Sequence, residues 1–343
     1  MALKNQCITD RYAIYNGDSA EVLSSLPDKS VGLAVHSPPF ACINGGALYN
    51  YSSSVRDLSN ARTYAEFFEH YEYIISQIAR TLMPGRISAV HCMDVPEQGA
   101  NICGYTDFPG DIIRLHQKLG FDHLPRICIW KEPLAVRNRT MSKALAHRQI
   151  VEDATQTNVA AADYLIPFRK RGKNPVPVTH PVGLMNYAGS REIPHDLLRY
   201  RGWTGSQIEN RFSHWIWRHY ASCFWDDIRI DHVLPYEEGS EEKDERHQHP
   251  LQLDVYERCI TMWSNRDEVF LEPFLGIGSG VYQAVVMGRK GVGCELKESY
   301  FRQCLRNMEL ALKHREGDEQ TTFTFGDIPE LSPSGQPYDD NEE

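Results

Sequence analysis

The feature that most constrains this chain is a pair of short apolar runs, each ending in a turn that no strand can continue. Residues 31–35 (VGLAV) stop at Ser37-Pro38-Pro39-Phe40, where two prolines remove backbone donors and forbid further sheet pairing. Residues 269–273 (VFLEP) run into a turn carrying Gly276, Gly278 and Gly280. Both runs sit in a regular alternation. A strand at residues 12–15 and a short helix precede the first, and Asp18-Ser19-Ala20-Glu21 fits a capping box for that helix. After it, Phe67, Phe68, Tyr71, Ile74, Ile75, Ile78 and Leu82 recur at helical spacing, and Pro84-Gly85 ends the helix. A strand at 87–91, a helix at 111–119 and a strand at 126–130 follow. The second run lies between a helix over 251–263 and a helix ending near Met287. A strand at 291–296 comes next, then a last helix from about Glu298 with Phe301, Leu305, Met308 and Leu312 on one face. This alternation predicts an α/β fold, a parallel sheet with helices on both faces.

From 131 to about 225 the alternation fails. Arg, Asn, Gly, Pro and aromatic residues crowd together, with weak helices at 141–152 and 210–219. Charge changes there too. The whole chain carries −10, yet residues 126–220 hold fifteen Lys and Arg against seven Asp and Glu, leaving −18 for the remainder. Much of the acid sits in 237–245 (EEGSEEKDE) and in the tail after Arg315, which read as solvated segments. The chain thus divides into a first half-domain at 1–130, a basic insert at 131–230 and an acidic flexible loop at 231–248. A second half-domain spans 249–314, and an acidic, disordered tail is expected at 315–343.

Membrane and secreted readings find no support. No apolar run approaches the ~18 residues that cross a bilayer, and residues 1–9 contain no secretory core. The nine cysteines are scattered with no CxxC, as expected of reduced thiols in cytoplasm rather than of a disulfide framework or zinc site. His214 and His219 have the wrong spacing for one helix face, so no metal is expected.

Glycines 276, 278 and 280, placed where a strand hands over to a helix, let backbone approach a ligand. Glu295 ends the next strand, where a carboxylate can accept from both ribose hydroxyls. This arrangement serves any adenosine-bearing cofactor: NAD, FAD or S-adenosylmethionine.

Taken with Ser37-Pro38-Pro39-Phe40, the turn resembles that of the DNA amino-methyltransferases, which methylate cytosine N4 or adenine N6. In that family an [S/D/N]-P-P-[Y/F/W] loop holds the target amine and an FxGxG turn holds S-adenosylmethionine. The catalytic loop comes first here, then the insert, then the cofactor turn, similar to the family's β arrangement. The resemblance runs from about Asn16 to Met308 and includes Asn16-Gly17-Asp18, Leu82-Met83-Pro84-Gly85 and His249-Pro250-Leu251-Gln252. Departures are Glu272 where Asp is usual, Ile277-Gly278-Ser279-Gly280 in place of an SGT run, Leu253 for Lys, and His36 for Thr. The resemblance implies a Rossmann-like, S-adenosylmethionine-dependent methyltransferase sheet with a target-recognition insert. It implies cofactor contacts from Asp18, His249, Gln252, Glu272, Pro273, Phe274, Gly276, Gly278, Ser279 and Glu295.

The chemistry suits those residue types. An exocyclic amine is a poor nucleophile because its lone pair is delocalised into the base. The Ser37 hydroxyl and Pro38 carbonyl, held by the Pro38-Pro39 backbone, can accept its two N–H groups and aim the lone pair at a sulfonium methyl. Phe40 would stack on a cytosine turned out of the duplex, since the target nitrogen is unreachable inside the stack. Ser at position 37 is similar to the N4-cytosine branch; N6-adenine is the alternative. Cations at Arg137, Arg139, Lys143, Arg169, Lys170, Arg171 and Lys173 are expected to meet the phosphates of double-stranded DNA. A cognate restriction nuclease, a prokaryotic or phage origin, and a monomer or homodimer complete the expectation. Three other readings stay open: a nicotinamide oxidoreductase resting on the Gly-rich turn and Glu295, a non-catalytic DNA-binding subunit, and a methyltransferase acting on RNA or on a protein glutamine.

Overall fold

The computed structural model describes residues 3–39, 57–97, 104–140, 143–235 and 250–323. Phe40, His249 and most of the acidic loop and tail lie outside them. The first half contributes β1 (Asn5–Ile8), β2 (Tyr12–Asn16), α1 (Ser19–Ser25), β3 (Val31–His36), α2 (Tyr64–Thr81) and β4 (Leu82–Met93). A small hairpin of β5 (Val95–Pro96) and β6 (Tyr105–Thr106) follows, then α3 (Phe108–Lys118), β7 (Phe121–His123) and β8 (Ile127–Ile129). The middle holds α4 (Pro133–Thr140), α5 (His147–Glu152), β9 (Asp163–Lys170), α6 (Arg211–Tyr220) and β10 (Phe224–Trp225). The last part holds α7 (Leu253–Trp263), β11 (Val269–Glu272), α8 (Ser279–Val286), β12 (Lys290–Glu295) and α9 (Glu298–Phe323), which runs past Arg315 into the segment expected as tail.

One sheet runs in the order β1-β2-β12-β11-β3-β4-β9-β8-β10, with β7 also on β9. From β2 to β4 every pairing is parallel. All six residues of β3 are buried, as an interior parallel strand requires. Alternate residues feed two cores: Leu33 and Val35 meet the helices α7, α8 and α9, while Ala34 faces the side of α2 and α3. Helix α2 is written plainly in the sequence. Thr63 caps it by accepting from the Glu66 N–H, and Phe67, Tyr71, Ile74, Ile75 and Ile78 form its buried stripe.

The middle segment differs from expectation. The sequence pattern predicts no strand there, yet β9 stands inside the sheet, antiparallel to β4, β7 and β8. Pro167 disguises it, since proline argues against an interior strand. Here the missing donor falls at a break: Leu124 donates to the Pro167 carbonyl between the end of β7 and the start of β8. Beyond β9, Leu184, Phe212, Ile216 and Tyr220 build a satellite core. The buried Arg258 of α7 ties it to the main domain, donating to the Ala188 carbonyl at 2.7 and 2.9 Å and to Asp227 at 2.8 Å.

Candidate active site

The chain order of the parallel strands reverses between β11 and β3. From β3 the next strand, β4, lies on one side; from β11 the next, β12, lies on the other. In open α/β sheets the crevice at such a switch point, beyond the carboxyl ends of the strands, is where ligands bind. Ser37 leaves β3 there, and the turn containing Gly276 leaves β11 there. The two loops touch: the Phe274 ring lies 5.6 Å from His36 and stacks on Tyr71 of α2. His36 is fully buried, its Nε2 2.8 Å from the Tyr71 hydroxyl, and burial holds it neutral with a pKa lowered to about 3.

The three glycines of the turn have different reasons to be glycine. Gly276 and Gly278 both have positive φ, +54° and +91°. A Cβ at Gly278 would lie 2.5 Å from the Cys304 sulfur, and one at Gly280 2.6 Å from the Tyr256 ring, so both are set by packing. A Cβ at Gly276 would meet no atom of the described residues within 4 Å. Among those residues, that glycine borders open space.

Around it converge the carboxyl ends of three strands. Glu295 accepts from the Gly276 N–H at 2.8 Å and the Lys297 N–H at 2.7 Å. Asn16 and Gly17 donate to the Glu295 carbonyl, which brings Asp18 alongside. Asp18 caps α1 through Oδ1 at 2.8 Å from the Ala20 nitrogen, while its buried Oδ2 has no partner among the described residues. Ser19 donates to the Pro273 carbonyl and so joins α1 to the turn. The Ser279 hydroxyl, also buried, lacks a partner among the described residues. Gln252 precedes α7, whose first turn lies at this end.

Glu272 is placed differently from the other acids. Both its oxygens are engaged beneath the turn, by the Tyr256 hydroxyl and by the N–H groups of Gly280 and Val281 at 3.1 and 3.2 Å. Burial, offset in part by these donors, pushes its carboxyl up to about 8. It holds the start of α8.

Three residues missed in the sequence complete the loop of Ser37. Its Oγ lies 3.3 Å from His91 Nδ1 at the end of β4. His91 Nε2 lies 2.9 Å from Asp163, which opens β9, and Lys131, just past β8, reaches the same oxygen at 2.8 Å. His91 is legible in the sequence as the last residue of an expected strand; Asp163 is not, because β9 itself is hidden.

The two basic clusters separate. Strand β8 runs antiparallel to β9, and β9 antiparallel to β4, so β8 points the same way as β4. Helix α4, with the exposed Arg137 and with Arg139, therefore follows β8 at the crevice end, and Lys143 opens the next turn. Arg169, Lys170, Arg171 and Lys173 follow the opposite direction to the far rim. There Arg169 and Lys170 donate to the carbonyls of Gly85 and Leu82, at 3.2 and 2.6 Å, and Arg171 pairs with Asp122 at 2.8 Å.

The sequence profile of a family described as DNA methylase, covering N6 and N4 methyltransferases, matches residues 31–306. The chain belongs to this family. It is a DNA methyltransferase, with S-adenosylmethionine as methyl donor, and the nicotinamide and non-catalytic readings fall away. Similar relatives are type II methyltransferases. M.MjaI of Methanocaldococcus jannaschii is 24% identical over 312 residues, covering 85% of this chain and 89% of the relative. M.BamHI of Bacillus amyloliquefaciens is 23% identical over 294 residues, 86% of this chain and 56% of the relative. This chain spans just over half the length of that second relative. Among solved structures, the cytosine-N4-specific PvuII DNA methyltransferase superposes with a TM-score of 0.57 at 15% identity, over 92% of this chain and 95% of that one. A candidate DNA modification methylase of Thermus thermophilus, complexed with S-adenosyl-L-methionine, gives 0.55 at 21%, over 88% and 95%. Both share the fold. No helix among the described residues is long and apolar enough to cross a membrane.

The crevice fits the cofactor by its own geometry. Among the described residues the space beside Gly276 is open, Asp18 Oδ2 has no partner, and that oxygen and the adjoining Glu295 carboxylate are acceptors suited to ribose hydroxyls and an adenine amine.

Proposed function

We propose that this methyltransferase acts on the exocyclic N4 of a cytosine turned out of duplex DNA. The observation that carries the reading is the position of Ser37-Pro38-Pro39 at the switch point, across from the Gly276 turn and joined to it through Phe274. Serine at the head of this loop resembles the N4 branch of the family, and the likeness to the N4-specific PvuII fold supports the same choice.

S-adenosylmethionine, when bound, supplies an electrophilic methyl group. Asp18, Gly276 and Glu295 would hold its adenosine, with Gln252, Pro273, Phe274, Gly278 and Ser279 shaping the turn and its floor. His249 joins them by its place in the motif. The Ser37 hydroxyl and the Pro38 carbonyl accept the two N–H groups of the target amine, which turns its lone pair out of conjugation. Phe40 stacks on the displaced base, replacing part of the stacking lost in the duplex. Arg137, Arg139 and Lys143 stand at the crevice end and are assigned to DNA phosphates. The cluster at 169–173 is left out of the interface because it lies on the other rim. The type II names of the relatives support a cognate restriction nuclease as partner.

The test is nucleoside mass spectrometry of duplex DNA treated with the protein and S-adenosylmethionine. N4-methylcytosine is the expected product. N6-methyladenine without it would transfer the same loop chemistry to adenine, and an unmethylated product would overturn the reading.

A further inference from the structure

Ser37 is the end of a chain of contacts drawn from four separate elements. Its Oγ meets His91 Nδ1 at 3.3 Å, His91 Nε2 meets Asp163 Oδ2 at 2.9 Å, and Lys131 Nζ meets the same Oδ2 at 2.8 Å. The order of these contacts fixes the proton positions. Asp163 is nearly buried, its side chain 5% exposed. Burial raises its pKa, but His91 and Lys131 outweigh this and hold the carboxyl well below the usual range, so it is an acceptor only. An acceptor at Nε2 demands the proton on that nitrogen. In the neutral ring this leaves the Nδ1 lone pair facing Ser37, and the serine hydroxyl donates to it.

A serine whose proton points at His91 has its own lone pairs turned to the crevice. That is the orientation in which Oγ can accept an amine N–H. Asp163, and Lys131 through it, sit on the Nε2 side of the imidazole, opposite the nitrogen that meets Ser37.

We propose that His91, oriented by Asp163 and Lys131, is the proton acceptor that acts through Ser37 during methyl transfer. The inference rests on the amino-methyltransferase reading of this site. As the amine nitrogen forms its N–CH3 bond with its own lone pair, the S–CH3 pair stays on sulfur and the nitrogen becomes cationic. One N–H bond then breaks and an Oγ–H bond forms, while the original Oγ–H proton passes to Nδ1. The resulting imidazolium lies between the serine and the Asp163 carboxylate, which stabilises it. Its side chain is 13% exposed, and the proton leaves to solvent from there. His91 is a positioning residue in this scheme, since it touches Ser37 and not the base.

The experiment is a double-mutant cycle with methyl transfer read on the protein's DNA substrate. His91→Asn places a carbonyl oxygen near the Nδ1 position, so it keeps an acceptor for Ser37 but cannot take up the proton. Its kcat should fall about 10²-fold, the low end of general-base contributions, with KM for DNA and affinity for S-adenosylmethionine within about twofold of wild type. In a Ser37→Ala background the same change should cost almost nothing, because the relay is already cut. Imidazole should restore part of the rate to His91→Ala and none to Ser37→Ala/His91→Ala. Full additivity of the two losses, or equal rates for His91→Asn and wild type, would overturn the relay. Should the His91 variants fail to fold, Asp163→Ala serves instead: it removes the acceptor that sets the tautomer, and an unchanged kcat there would likewise overturn it. Wild-type protein that leaves DNA unmethylated refutes the underlying reading rather than the relay.

Discussion

The two ends of the sheet use similar residues for different ends. At the carboxyl ends of the parallel strands, two buried polar groups, Asp18 Oδ2 and the Ser279 hydroxyl, have no partner among the described residues, and Gly276 stands beside them. At the opposite rim, the basic side chains are consumed by the fold. Arg86 is buried and donates to the Gly32 and Val176 carbonyls while pairing with Glu268, and Arg169 and Lys170 satisfy the carbonyls of Gly85 and Leu82. A buried group left unsatisfied costs stability, so the Asp18 oxygen and the Ser279 hydroxyl beside the Gly276 turn are groups that a ligand seated there would satisfy. Cationic sequence alone does not make that distinction; strand direction does.

The largest expected effect falls on Ser37. Ser37→Ala should reduce kcat by about 10²–10³-fold, the scale of losing one oriented hydrogen-bonding group that acts on the reacting centre, while calorimetric affinity for S-adenosylmethionine stays unchanged. Equal losses in rate and cofactor affinity would place Ser37 in the cofactor pocket and blur the contrast. Next comes the pair of glycines. Gly278→Ala should destabilise the protein by about 2–4 kcal/mol in denaturant unfolding, from left-handed strain together with overpacking against Cys304. Gly276→Ala should cost only the strain, ~1–2 kcal/mol, and should weaken cofactor binding instead. A third contrast lies within the acids. Glu295→Ala should weaken S-adenosylmethionine by about 1–3 kcal/mol, the value of hydrogen bonds to a charged acceptor, with KM for DNA preserved.

Glu272 gives an effect read in pH and not in activity, and its sign is fixed by burial. Its folded pKa of about 8 stands above the ordinary 4.5, so the folded chain keeps a proton that the unfolded chain loses between those values. Its stabilising contribution is complete below about 4.5 and is lost as pH rises through about 8. Glu272→Gln, neutral throughout, should flatten the decline of Tm measured from about pH 5 to about pH 9. A variant whose Tm keeps the wild-type slope would assign that decline to other groups.

Much of this is legible in the sequence because local rules and the fold agree. The apolar stripe of α2, the prolines after β3 and the glycines after β11 each announce an element and its end. Helix α3 begins at Phe108, ahead of the expected 111, because Asp107 caps it through the Gly110 N–H and Pro109 is tolerated in the first turn. What stays hidden depends on distant pairing. Strand β9 carries a proline that only the break between β7 and β8 makes harmless. With β9 unseen, Asp163 cannot be brought to His91, nor can residues 169–173 be assigned to the far rim. Glu272 matches a cofactor position by its place in the motif, yet three donors from Tyr256, Gly280 and Val281 turn it beneath the turn.

Everything proposed for the site requires that DNA meet the end of the sheet where Ser37 and Gly276 lie. The most direct measurement is the salt dependence of duplex binding for two variants, Arg137→Ala/Arg139→Ala/Lys143→Ala and Arg169→Ala/Lys170→Ala/Arg171→Ala. The first should lower the slope of log K against log salt by ~0.9 for each phosphate no longer neutralised, and the second should leave the wild-type slope in place while lowering Tm. A reduced slope in the second variant with an unchanged slope in the first would put the duplex on the far rim, away from Ser37, and contradict that requirement.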